Sequence, residues 1–198
     1  MIDTEKYKLS EDNYHKIKFK KTQIVIGHNG RKDMRHYNSW LNRLNGKYKK
    51  TSTFTIDTDG RVYQHFDPSH YSDFLGIDQD KSNISILLVN QGWLDLDTDY
   101  NIYRDWLGHA YSRSIQNIIN KSWRGHDTWV KYTNEQYDSL KKLLIKLCDE
   151  FEIKKECIGN NVYDENVDIY NGITFKSNYS QDIKDVSPAF EMDQLKDL

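Results

Sequence analysis

Three consecutive apolar residues that end at a glycine and a histidine constrain the fold of this chain most. Ile24–Ile26 is followed at once by Gly27–Gly30, which contains His28. An uninterrupted apolar run predicts a short strand buried on both faces, and the two glycines after it predict a turn. The strand would fix the histidine and the turn would expose it, which suits a metal ligand or an acid–base group. One histidine does not make a site, so its partners must lie elsewhere in the sequence.

Other segments predict the remaining strands of an α/β fold. Thr51–Ile56 alternates and is rich in β-branched residues; Asp57–Gly60 and Arg61–Phe66 follow it. A strand, an Asp-Gly turn and a second strand predict a β-hairpin. Ile84–Val89 is continuously apolar and predicts a central strand buried on both faces, and Gly172–Phe175 predicts the last strand.

Two segments carry helical patterns. Thr133 and Gln136 have the spacing of a capping box, and the apolar residues of Tyr137–Phe151 then fall on one face of a helix. Met34–Leu44 also has helical spacing and is followed by Gly46, a typical C-terminal residue. Residues 95–130 are long, aromatic and irregular in pattern, and no element is predicted for them.

The organisation predicted from these patterns is a single domain over residues 1–198. The chain has only two prolines, Pro68 and Pro188, and no Gly/Ser/Pro-rich linker divides it. Residues 1–20 form a charged N-terminal extension. A length of 198 residues is enough for one domain with a substantial core.

Composition limits the classes of partner. Hydrophobic residues make up 37% of the chain and aromatic residues 13%. The chain has 28 basic and 30 acidic residues. Without a basic excess, we expect no nucleic-acid partner. Cys148 and Cys157 lack metal-ligand spacing and are interpreted as reduced core thiols. Neither an N-terminal signal peptide nor an apolar run long enough to span a membrane is found, so we expect synthesis in the cytoplasm.

Five segments, in this order, resemble the zinc-dependent N-acetylmuramoyl-L-alanine amidases, a family that includes amidase-type phage lysozymes and peptidoglycan recognition proteins. They are Ile24–His28, Phe54–Gln64, Asn83–Asn90, Thr133–Phe151 and Asp185–Phe190. The resemblance covers about residues 22–92 and 130–192 and leaves 95–130 as an insertion that is atypical for the family. It implies a mixed central β-sheet flanked by helices, with a peptidoglycan groove across one edge.

The resemblance also implies a zinc ion held by two histidines and one Asp or Cys, with the fourth position left for the attacking water. His28 matches the first ligand and Asp185 the Asp/Cys ligand. The second histidine is expected about eight to ten residues before Asp185, and no histidine stands there. It is replaced near Ser177 and Asn178, whose side chains are poor zinc donors. The implied metal site is therefore incomplete.

Further roles follow from the resemblance alone. Lys184 is the only candidate for a catalytic helper, and the family's catalytic tyrosine has no match. Asn29, Ser52, Asp73 and Asn178 are expected to contact substrate.

Four of the remaining histidines are candidates for the third metal ligand. For each of them, a surface position or a hydrogen-bonded structural role is the more common outcome, and His15 and His36 have no local support for a site. The four candidate histidines are His65, His70, His109 and His126.

Two functions of different classes remain open. The first is a weakly active or catalytically silent relative that binds a peptidoglycan fragment, or a host or viral protein, in the family groove. The second is an active, endolysin-like amidase that cleaves the muramoyl–L-alanine amide with a non-standard third ligand. Ligand counting favours the first. Either protein would be of phage type and would act on the bacterial cell wall.

Overall fold

Six of the eleven strands in the computed structural model, which describes residues 1–198, form one central sheet. In chain order the strands are β1 (Ile2–Asp3), β2 (Gln23–His28), β3 (Phe54–Ile56), β4 (Val62–Gln64), β5 (Asn83–Leu88), β6 (Asp95–Asp97), β7 (Ile102–Arg104), β8 (Ala110–Tyr111), β9 (Ile118–Trp123), β10 (His126–Val130) and β11 (Gly172–Phe175). The α-helices are α1 (His36–Asn42), α2 (Asn134–Phe151) and α3 (Lys176–Tyr179). Short 3-10 helices cover Glu11–Asn13, Arg43–Gly46, Asp78–Ser82, Val167–Ile169 and Met192–Leu195.

The central sheet has the order β1-β4-β3-β5-β2-β11. Only β3 and β4 pair antiparallel, and every other neighbouring pair is parallel. The predicted hairpin, the central strand and the last strand are all confirmed. The fold is therefore the mixed α/β sheet flanked by helices that the sequence predicts.

Apolar residues of β2 alternate between two packed layers. Ile24 and Ile26 belong to the larger core cluster, together with the apolar face of α2. Val25 belongs to a second cluster with Trp40 of α1. Full burial of such side chains contributes about 1.5–3 kcal/mol each, so an uninterrupted apolar run is what a strand covered on both faces requires.

The capping box predicted for α2 is present. Thr133 Oγ1 accepts from the Gln136 backbone N–H at 3.1 Å, and Gln136 Oε1 accepts from the Thr133 N–H at 3.1 Å. Helix α1 is shorter than Met34–Leu44, because Leu44 takes a positive φ of 52° and its side chain is 71% exposed. The helical spacing of Leu44 therefore does not reflect a core position.

The N-terminal segment is an integral part of the domain. β1 pairs with β4, Leu9 is buried, and buried Asn13 donates from Nδ2 to the carbonyls of Gly46 and Tyr48. The charge of residues 1–20 is carried on the outer side of a packed segment.

Residues 95–130, for which no element was predicted, form two small antiparallel sheets, β6-β7-β8 and β9-β10. Trp129 of β10 is completely buried. Arg124, at the tip of the β9–β10 hairpin, donates to the carbonyls of Ser177, Ser180 and Ile183. The strands are short and mostly exposed on one side, so they leave little hydrophobic pattern in the sequence. Through Arg124, this insertion is attached to the loop that precedes Asp185.

No helix in the structure combines the length and the apolar character needed to cross a bilayer. Both cysteines are free thiols. Burial raises the pKa of Cys148 and of Cys157 to about 11, so both are protonated at neutral pH.

Candidate functional site

The predicted site residue His28 lies where three adjacent parallel strands end. Strands β5, β2 and β11 end at Leu88, His28 and Phe175. Residues that follow parallel strands meet at one edge of the sheet, which is where open α/β sheets bind ligands. A groove of about 400 Å³ opens at this edge. Its lining residues are His28, Asn29, Gly30, Trp93, Trp106, Lys176, Asp182, Ile183, Lys184 and Asp185.

His28 is held between a phenol and a glycine. Only 7% of the residue is exposed, and its Nδ1 lies 2.8 Å from the Tyr132 hydroxyl. A Cβ on Gly92, whose φ is +80°, would lie 2.8 Å from His28 Nε2, so this position needs glycine for space as well as for conformation. Burial lowers the pKa of His28 to about 4, and the ring is neutral at pH 7.

Tyr132 connects His28 to Ser187 through hydrogen bonds. Burial raises the pKa of Tyr132, so the phenol keeps its proton. Its oxygen accepts from the Ser187 N–H at 3.4 Å and is also hydrogen-bonded to His28 Nδ1 at 2.8 Å. The hydrogen bond to Tyr132 therefore occupies Nδ1 of a histidine that lines the groove.

Asp185 lies beside His28, as the resemblance implies. Its side chain is only 15% exposed, and its Oδ2 accepts from the His28 backbone N–H at 3.3 Å. The Lys176 ammonium lies 3.4 Å from the same oxygen. The carboxylate is therefore fixed by one backbone donor and one cation.

Lys176 is the residue that faces the groove in the segment where the second histidine was expected. Ser177 and Asn178 are completely buried, and so is Phe175. The Lys176 Nζ also lies 4.8 Å from the centroid of the Phe74 ring. Lys176 does not stand out in the sequence, because an ammonium has no lone pair and matches no metal-ligand pattern.

The donor set does not fit the zinc ion that the family implies. A catalytic zinc needs three protein ligands. The structure contains no group of three His, Cys, Asp or Glu side chains placed to hold a metal. Three metal-type donors line the groove, His28, Asp182 and Asp185, but they are not placed as one metal-holding group. The ammonium of Lys176 lies beside Asp185, and its positive charge opposes a dication.

None of the four candidate histidines for the third ligand lines the groove. Each is engaged elsewhere: His65 with Thr55 Oγ1 and the Tyr7 carbonyl, His70 stacked on Tyr14, His109 with Asp105, and His126 with Asp95.

Asn29 lines the groove but already has four partners. Its Oδ1 accepts from the Arg31 and Asn90 N–H groups, and its Nδ2 donates to the Asp33 carbonyl and to His36 Nδ1. The side chain therefore holds the loops after β2 and β5 together, and its amide is saturated before any ligand binds.

The other residues expected to contact substrate are not brought to this groove. Ser52 is buried, with its hydroxyl on the Phe54 carbonyl at 2.9 Å. Asn178 is buried and donates to two carbonyls of the loop before β11. Neither side chain can contact a ligand in the groove without a rearrangement of the core. Asp73 pairs with His15 at 2.8 Å and lines a separate cavity of about 670 Å³.

A smaller cavity of about 190 Å³ links these two hollows. It shares His28, Asn29 and Lys176 with the groove, and Tyr48 and Lys50 with the larger cavity that Asp73 lines. Asp73 is therefore placed at the far end of a run of three adjoining hollows.

Two tryptophans wall the groove. Trp106, from the insertion, is 46% exposed and donates from Nε1 to the Gly30 carbonyl. The Lys184 ammonium lies 5.2 Å from the centroid of the Trp93 ring. Lys184, the helper candidate, therefore lines the groove with its ammonium over an aromatic ring. Nothing near Trp106 or Tyr132 in the sequence marks their contacts with the end of β2.

The fold places the chain in the amidase-type class of α/β proteins. The family model described as N-acetylmuramoyl-L-alanine amidase matches residues 17–170, so the chain belongs to this family. The match ends before Lys176 and Asp185. No curated protein matches the chain in sequence.

Solved structures share the fold at low sequence identity. N-acetylmuramoyl-L-alanine amidase LysC from Clostridium intestinale URNW is 13% identical with a TM-score of 0.57, covering 99% of this chain and 95% of its own. AmiD from E. coli, in complex with the substrate anhydro-N-acetylmuramic acid-L-Ala-D-gamma-Glu-L-Lys, is 15% identical with a TM-score of 0.57, covering 96% and 65%. The Ph2119 endolysin of the Thermus scotoductus MAT2119 bacteriophage Ph2119 is 10% identical with a TM-score of 0.52, covering 92% and 86%.

Proposed function

We propose that this protein binds peptidoglycan fragments in the groove at the end of β2 and does not hydrolyse them. The observation that carries the proposal is the donor set at the groove floor. His28 and Asp185 are present, but the segment in which the resemblance implies the second histidine presents Lys176 to the groove instead. Asp182 also lines the groove, and it does not complete a group of three metal-type donors with them. Without a third protein ligand, the groove has no zinc site that could bind the attacking water of the family reaction.

The shape and lining of the groove support a ligand of this class. Three adjoining hollows give an extended surface, as a sugar joined to a peptide needs. The tryptophans offer apolar faces for a sugar ring, and the lysines offer donors to amide and carboxylate oxygens. The AmiD ligand combines a muramic acid with a short acidic peptide. We infer that a fragment with this chemistry is the partner, and that a host or viral protein is the alternative.

The competing proposal is an active, endolysin-like amidase. The close approach of Asp185 Oδ2 to the His28 backbone favours it, since both are retained at the groove floor. It requires a third zinc ligand that moves in when the metal binds. Either function places the protein at the bacterial cell wall, and the endolysin neighbours support a phage-type origin.

One experiment separates these proposals. Purified peptidoglycan is incubated with the protein in zinc-containing buffer; protein retained on the pellet and new α-amino groups in the supernatant are both measured. We expect retention without new amino groups. Release of amino groups that is lost in His28→Ala would establish the amidase, and absence of retention would overturn peptidoglycan binding.

A matched pair of variants tests whether retention uses this groove. Trp106→Ala removes a groove wall, whereas Tyr100→Ala removes an exposed ring of the same insertion that does not line the groove. We expect retention to fall about tenfold in the first variant, equivalent to about 1.4 kcal/mol, and to be unchanged in the second. Equal retention in both would place the binding surface elsewhere.

A further inference from the structure

We propose that the Lys176 ammonium takes the electrostatic place of the metal. It balances the charge of Asp185 and offers N–H donors, in place of a Lewis acid, to a carbonyl or carboxylate oxygen of the ligand. This inference deepens the proposed function and rests on it, because it explains how the groove works as a binding site without zinc.

The charge of Asp185 needs a partner. A carboxylate that is 15% exposed is costly unless it is paired and hydrogen-bonded. One backbone N–H reaches Asp185 Oδ2, and the cation within 4 Å of it is Lys176. In a zinc enzyme the metal supplies this positive charge, whereas here a side chain of the protein supplies it.

The chain is built to hold the ammonium at this point. A Cβ on Gly27 would lie 2.6 Å from Lys176 Cδ and 2.7 Å from Asp185 Oδ2, so both side chains use the space that a glycine leaves. On the other side, the ammonium lies over the ring of Phe74. The lysine stem, the carboxylate and the aromatic ring are therefore packed together.

The position of Lys176 also specifies the ligand chemistry. Its side chain lines both the groove and the adjoining 190 Å³ cavity, so it stands where the two hollows join. An ammonium has three N–H donors, and Asp185 Oδ2 lies 3.4 Å from its nitrogen on one side. The donors directed away from Asp185 suit an oxygen acceptor of the ligand. An amide carbonyl or a carboxylate at this junction is the ligand group that fits.

Measurements of zinc affinity test directly whether Lys176 takes the place of the metal. Zinc binding is measured for the wild type, Lys176→His, Lys176→Met and the double variant Lys176→His/His28→Ala, with folding checked by circular dichroism. We expect Lys176→His to bind zinc at least 100-fold more tightly than the wild type, and the double variant to lose this gain. Lys176→Met should bind no more tightly than the wild type. Tight binding by the wild type, or no gain in a folded Lys176→His, would overturn the proposal.

A thermal double-mutant cycle tests the charge balance without zinc. Lys176→Met should lower Tm by several degrees, whereas in an Asp185→Asn background the same change should have little effect. Lys146→Met, at an exposed position of α2, is the control and should not depend on Asp185. Additive effects of Lys176→Met and Asp185→Asn would show that the two residues are not coupled and would overturn the proposal.

The two proposals fail in different ways. If Lys176→His gains zinc affinity and Lys176 is thermally coupled to Asp185, but the protein is not retained on peptidoglycan, then the charge-balancing role of Lys176 is supported and the proposed ligand is wrong. If Lys176→Met is retained on peptidoglycan as well as the wild type, the proposed function is supported, but the ammonium does not donate to the ligand.

Discussion

The phenol of Tyr132 is hydrogen-bonded to His28 Nδ1 at 2.8 Å, and this bond joins two residues 104 positions apart in the chain. This bond ties the end of β2 to the residue just before the N-cap of α2. It fixes the ring of the histidine on which the resemblance to the amidases depends.

Loss of that bond should cost stability. In Tyr132→Phe, both His28 Nδ1 and the Ser187 N–H lose their partner in a buried environment. We expect the free energy of unfolding to fall by about 1–3 kcal/mol, as measured by urea denaturation. Tyr100→Phe, at a strongly exposed ring, should change it by less than about 0.5 kcal/mol. Equal values for the two variants would contradict the role of the bond.

Gly92→Ala should be more harmful than its backbone conformation alone explains. Gly92 and Gly125 have similar φ values of +80° and +85°, but a Cβ meets His28 Nε2 only at Gly92 and nothing within 4 Å at Gly125. Gly125→Ala therefore measures the cost of positive φ, about 1–2 kcal/mol. We expect Gly92→Ala to exceed it by about 1 kcal/mol or more in chemical denaturation, and to perturb the His28 imidazole signals in NMR spectra. A matching loss in both variants would argue against close packing on His28.

Stability should fall as the solution is acidified. Burial lowers the pKa of His28 to about 4, of His36 to about 3 and of His65 to about 4. The unfolded chain protonates its histidines near pH 6.5, so between pH 6.5 and about 4 it binds more protons than the folded protein. Each of the three then costs about 1.4 kcal/mol per pH unit as the pH falls through this window. The loss levels off below the folded pKa values.

Denaturation midpoints between pH 7 and pH 5 measure this proton uptake. His36→Gln should reduce the dependence by about one proton, since it removes one buried imidazole. A flat stability over this range would show that these histidines titrate normally in the folded protein.

Arg124 should control the order of the loop before Asp185. Its guanidinium bonds three carbonyls between Ser177 and Ile183. In Arg124→Ala, we expect faster amide hydrogen exchange over residues 177–185 and a loss of about 1–2 kcal/mol in stability. Arg61→Ala, which breaks an exposed pair with Asp59, should leave exchange in that loop unchanged. Unchanged exchange in Arg124→Ala would contradict the attachment of the insertion to this loop.

Most of the central sheet could be predicted because its signals are local. The apolar runs that form β2 and β5, the Asp-Gly hairpin and the capping box at Thr133 each depend on residues within a few positions of one another. The strands of residues 95–130 could not, because they are short, exposed on one side and stabilised by contacts with the rest of the domain.

The sequence by itself determined the strands of the central sheet, the long helix and the position of His28 at a strand end, since hydrophobic periodicity and turn chemistry depend on neighbouring residues. The mixed arrangement of the sheet was implied by the resemblance to the amidases. Only the tertiary structure decided that Lys176 faces Asp185, that Tyr132 holds His28 and that Ser52 and Asn178 are buried. These facts depend on which side chains meet across the ends of β5, β2 and β11. Lysine, tyrosine and serine occur on any surface, and only their partners give these residues a role in the site.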